Sequence, residues 1–205
     1  MCTIILAAMF CFQCEQTENH TGCTVVGNCG KTPNVAALQD HLVHVLKSLG
    51  FWVTKAKEVG IPVSRECDVF TVDALFSTLT NVNFDASRFK EYINDALKYR
   101  DQYRKLYTEQ CMKRSIKPSE GNPIANYTPT NTDNLDSLTE QGKNFGVFER
   151  KQRLGDDICG VQELIMYGLK GTAAYQSHAG ELGQHVQSTY DHVYKVCCGM
   201  SRILL

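Results

Sequence analysis

The sequence predicts an all-α protein, a helical bundle preceded by an N-terminal cysteine-rich loop. Three observations carry that expectation. Apolar residues recur at three- and four-residue steps over long stretches, no segment shows the alternation of a strand, and four cysteines crowd into Cys11–Cys29.

Residues 1–8 read as an extension. "TIILAAMFCF" resembles the apolar part of a secretory signal, yet no Lys or Arg precedes it and cleavage would fall against the cysteines. Met9 is the more natural beginning, and 9–31 forms the loop. Thr32 can cap a helix opening at Pro33, where a missing N–H leaves nothing unpaired. Val35, Leu38, Leu42, Val45, Leu46 and Leu49 then line one face, and the register runs through Gly50 to Val59 before Gly60 and Pro62 stop it. A second helix is expected over Cys67–Leu79, and a third, capped by Asp85, carries Phe89, Ile93, Leu97 and Leu106 under a charged exterior. Between 115 and 133 the composition turns to Pro, Asn, Thr and Ser, which predicts a loop able to move or to contact something outside the domain.

In Asp156–Gly183 the residues Val161, Leu164, Gly168, Gly171 or Thr172, and Tyr175 share a helical stripe. Small side chains there predict close packing against another helix. A last helix is expected over Gln184–Val196, which closes the bundle domain at 32–196. Residues 197–205, "CCGMSRILL", read as an atypical tail.

The 205 residues carry 21 Lys and Arg against 22 Asp and Glu, so the balance gives no nucleic-acid footprint and no polybasic membrane anchor. No apolar run approaches the roughly 20 residues of a membrane span. Ten cysteines without a convincing export signal fit a reducing, cytoplasmic setting and weigh against a disulfide framework.

Cys11, Cys14, Cys23 and Cys29 are separated by two, eight and five residues. Structural zinc prefers two close pairs on tight turns, and only Cys11 and Cys14 make one. An iron–sulfur cubane is wider and suits unequal spacings in a wrapping loop. Gly22, Gly27 and Gly30 can take positive φ and bring N–H groups toward sulfur, and Lys31 can offset negative charge. Spacing alone leaves iron–sulfur, zinc and disulfide readings open. Cys2, Cys67, Cys111 and Cys159 read as inert thiols. The histidines read as packing or surface residues, with His20 alone near the cysteine loop.

"MFCFQCEQT" followed by "TGCTVVGNCGKTPNVAALQDHLVHVLK" resembles the amino terminus of the hybrid cluster proteins, or hydroxylamine reductases. The likeness resumes at "LFSTLTNVNFD" and "QELIMYGLKGTAAYQSHA". It implies a [4Fe–4S] cluster on Cys11, Cys14, Cys23 and Cys29, two three-helix bundles, and electron transfer from a redox donor protein. In full-length members a hybrid iron–sulfur–oxygen cluster, held by later domains, reduces hydroxylamine or nitric oxide. Those domains are absent from this sequence, so turnover by this chain alone is not expected. The competing reading is a zinc-stabilised helical interaction module without redox chemistry, and a third is an inactive remnant.

Overall fold

Helix starts follow the capping residues. The Thr32 hydroxyl accepts from the Val35 N–H (3.4 Å) and Ser64 from that of Cys67 (3.3 Å). Asp85 accepts from Ser87 (2.8 Å) and Arg88 (3.4 Å). The computed structural model describes residues 8–14, 17–79 and 81–202. Cys2, nearly all of the 1–8 extension, the His20 side chain and the last three residues of the expected tail lie outside that description. Seven α-helices follow in order among the described residues: α1 (Pro33–Glu58), α2 (Arg65–Ser77), α3 (Ala86–Lys113), α4 (Leu135–Lys143), α5 (Val147–Leu154), α6 (Asp156–Glu181) and α7 (Gln187–Arg202). None of them is long and apolar enough to cross a membrane.

α1 is the hub. Long α3 and α7 flank it, α4 lies across it, and a second set, α2 and α5, is strung along α6. Leu38, Leu42, Val45, Leu46 and Leu49 are all fully buried there, so the predicted apolar face is the core. α7 approaches so closely that a Cβ added at Gly50 would overlap the Cβ of Cys197.

Four expectations need correction. α7 does not end at Val196 but continues to Arg202, and Cys197, Cys198 and Met200 are core residues against α1. α4 and α5 were not foreseen; eight or nine residues give too few turns for a period to show. The 115–133 segment is stitched down. Its Ala125 carbonyl accepts from Ser48 Oγ (2.7 Å) and Trp52 Nε1 (2.8 Å), Asn122 donates to Ser201, and Arg100 donates to the Tyr127 carbonyl. Finally, the α6 stripe does not pack. Leu164 is 73 % and Tyr175 81 % exposed, and nothing among the described residues stands within 4 Å of a Cβ built at Gly168 or Gly171. The buried side of α6 is instead the opposite one, with Cys159, Gln162, Met166, Leu169, Lys170, Ala173 and Gln176.

Candidate metal centre

The loop before α1 folds back on itself. The backbones of Cys11 and Cys23 exchange hydrogen bonds as an antiparallel bridge, 3.0 Å from the Cys11 N–H and 2.8 Å from that of Cys23. Ala8 and Met9 extend the pairing to the Thr24 carbonyl (2.9 and 3.2 Å). A second tight turn follows. Gly30 N–H donates to the Gly27 carbonyl (2.7 Å), and Gly27 N–H to that of Lys31 (2.8 Å). Gly30 has φ +91°, a conformation that favours glycine. Gly27 lacks the positive φ expected of it and serves by size: a Cβ there would stand 3.1 Å from Cys29 Sγ.

These turns aim donors at sulfur. Lys31 Nζ donates to Cys11 Sγ (3.5 Å), and the Asn28 N–H donates to Cys23 Sγ (3.4 Å). Lys31 is only 1 % exposed, with its charge directed at a thiol and away from water. Cys23 is buried, whereas Cys11, Cys14 and Cys29 are half-buried, so the quartet sits just below the surface. All nine described cysteines are free thiols. Among the described residues, no three His, Cys, Asp or Glu side chains converge closely enough to hold one metal ion. The donor set nevertheless fits an anionic thiolate-bound group, since N–H and ammonium groups directed at sulfur stabilise negative charge there.

The loop is anchored on two sides. Phe10 packs on Phe148 of α5 with centroids 4.8 Å apart. The Gln13 amide donates to the Thr78 carbonyl (2.7 Å) and accepts from Lys170 Nζ (2.9 Å), which ties the Cys11–Cys14 stretch to α2 and α6.

Behind the loop lies a buried charged cluster that sequence reasoning missed. Lys47 from α1 and Lys170 from α6 are 7 % and 5 % exposed. Burial pushes each ammonium down to about 8. Burial, offset in part by Lys170 and Arg150, pushes the Asp40 carboxyl up to about 6. Arg150 of α5 pairs with Glu163 of α6 and donates to the Phe145 carbonyl (3.0 Å) and to Gln162 (3.3 Å). The available signal was a lysine inside two otherwise apolar runs, "HVLKSLGF" and "MYGLKGTAAY".

The other cysteines and histidines fall where packing puts them. Cys67, Cys111 and Cys159 are fully buried, and burial raises the thiols of Cys67, to about 11, and Cys159. His41 bridges the Leu138 carbonyl (2.8 Å) and Tyr127 Oη (3.0 Å). His44 stacks on Phe145 at 3.8 Å, and burial, with Lys47 next, holds it neutral with its pKa down to about 2.

Residues 9–203 match the Prismane/CO dehydrogenase family. The chain is 40% identical over 199 residues to the hydroxylamine reductase of Syntrophobacter fumaroxidans, a match covering 95% of this chain and 34% of that protein. It is 38% identical over 195 residues to that of Rhodospirillum rubrum, covering 95% and 35%. With that of Escherichia coli it shares 39% over 192 residues, covering 92% and 34%. The chain therefore spans about a third of the length of the curated relatives it matches. The match runs through Cys197 and Cys198 to residue 203, in keeping with their place in the core.

Proposed function

The chain belongs to the Prismane/CO dehydrogenase family, and on that footing we propose that residues 9–31 bind a [4Fe–4S] cluster through Cys11, Cys14, Cys23 and Cys29. The helical body from residue 32 holds this electron-transfer site in place. The observation that carries the reading is the pairing of sulfur with directed positive charge: the Lys31 ammonium on Cys11 Sγ and the Asn28 N–H on Cys23 Sγ. Neutral, inert thiols do not call for a buried lysine. Zinc is the weaker alternative, because structural zinc prefers two close ligand pairs and only Cys11 and Cys14 make one.

When bound, the cluster supplies a reversible one-electron couple. The chain's residues do the rest. Lys31 and the Asn28 N–H offset negative charge at two of the sulfurs. Phe10, packed on Phe148, fixes the loop against α5. Gln13 pins the first ligand pair to two helices, so ligand positions hold as charge changes. The half-buried Cys11, Cys14 and Cys29 leave the site close enough to the surface to exchange electrons with a donor protein. Free thiols suit a reducing cytoplasm. Reduction of hydroxylamine or nitric oxide belongs, in this reading, to longer members of the family.

The test is anaerobic reconstitution. The protein should turn brown, with iron and sulfide in about equal amounts as a cubane requires, and gain a reductant-sensitive visible spectrum. Cys14→Ser and Cys23→Ser should each lose it. A colourless protein holding one zinc per chain refutes the proposal.

A further inference from the structure

The charged cluster behind the cysteine loop encloses a cavity of about 40 Å³ between α1, α5 and α6, under Phe10–Gln13. Four cations border it: Lys47, Lys170, Arg150 and, at the exposed rim, Arg153. Only two acids, Asp40 and Glu163, face them, and the remaining polar lining is Cys11, Gln13, Gln162 and His44. Arg150 already holds Glu163, and Lys170 already holds Gln13. Lys47 makes no hydrogen bond or close ion pair with any described residue. Phe145, Val147, Met166 and Met200 complete the walls, so the lining is about half apolar, and Asp40 and Glu163 act on the Lys47 ammonium only at a distance.

A buried, unpaired ammonium costs several kcal/mol unless something offsets it. We propose that this cavity binds one small monovalent oxyanion, seated on Lys47 and reached past Arg153. Size limits the choice. A water-sized position takes ~10–15 Å³, so the cavity admits about three such atoms, the scale of formate and not of a benzoate or a phosphate ester. Burial of Lys47 away from bulk water strengthens the attraction between anion and ammonium. The Arg150–Glu163 pair leaves Arg150 oriented by three acceptors, which keeps it as a fixed wall and leaves Lys47 as the receiving charge.

The inference does not need the cluster, so the full chain is tested both before and after reconstitution. Sodium formate is titrated against the protein at constant ionic strength, with the bulky gluconate as balancing anion. Isothermal titration should give one saturable site per chain, and melting should shift upward until saturation. Lys47→Met should lose the shift and at least tenfold in affinity, Lys47→Gln should behave alike, and benzoate should do nothing in any of them. No saturable response in the wild type, or an equal response in both Lys47 variants, overturns the proposal. Should formate fail while Lys47→Met moves the cluster's reduction potential, the charge serves the cluster and the anion site is refuted.

Discussion

Lys31 and Lys47 are both buried lysines, and they differ in whether an acceptor faces them. Lys31 has one, Cys11 Sγ at 3.5 Å. Replacing it by Met removes positive charge beside the cluster reading's first ligand, which favours the oxidised form. The reduction potential of reconstituted Lys31→Met should fall, with about 4 kcal/mol as the ceiling for a unit charge at contact distance and an effective dielectric near 20. Voltammetry decides it, and an unchanged potential would detach Lys31 from the site. Lys47 has no such acceptor. Its ordinary value of 10.5 falls to about 8 on folding. Between those values the unfolded chain keeps a proton that the folded one lacks, so stability climbs with pH across that window. Below about 8 both states are charged, and the full burial penalty applies. Lys47→Met should therefore stabilise the anion-free protein at pH 7, by on the order of 3 kcal/mol. It should also remove the Lys47 share of the rise above pH 8 and leave that of Lys170, lowered to about 8 as well. That remaining rise is set against the fall from the buried Cys67 and Cys197 thiols, which keep protons that the unfolded chain releases. Urea denaturation at pH 7, 8.5 and 10 measures both effects.

Elements were legible in proportion to how local their determinants are. Thr32–Pro33 and Asp85 announce helix starts because a cap acts within three residues, and α1 and α3 begin where those caps stand. α2 instead starts after the Ser64 cap at Arg65, two residues before the expected Cys67. The approach of Lys31 to Cys11 was legible for the same reason: both lie within about twenty residues of sequence. Lys47, Asp40, Arg150, Glu163 and Lys170 come from three helices, and only packing brings them to one cavity. α6 misled because its sides invert the usual rule, with Gln162, Lys170 and Gln176 buried and Leu164 and Tyr175 in solvent. The period marked an apolar side without saying what faces it. Gly50 tests the α1–α7 contact directly. Gly50→Ala gains about 1 kcal/mol of helix propensity, yet its Cβ collides with Cys197 and stands 3.1 Å from the Tyr194 carbonyl. Overpacking costs about 1–3 kcal/mol, so a net loss is expected. Cys197→Gly in the same chain should recover part of it, and a double-mutant cycle from denaturation curves would show the coupling.

At the scale of the whole molecule, the core and the apolar surface occupy opposite sides of α6. The core runs from α1 into α3 and α7 and reaches α6 through Met166, Leu169 and Ala173. Val161, Leu164, Tyr167, Tyr175 and Leu182 lie outside it, each at least half exposed. Side chains that keep their water contacts on folding contribute little to the folding free energy. Leu164→Glu together with Tyr175→Glu should then leave the denaturation midpoint within about 0.5 kcal/mol of wild type. The same change removes apolar area from the surface and adds negative charge, both of which oppose self-association. Light scattering against concentration should therefore show a more soluble, more monodisperse protein with an unaltered melt. Loss of stability in the double variant would mean that the exposed side of α6 is covered in solution, and the division between core and surface drawn along this helix would have to be redrawn.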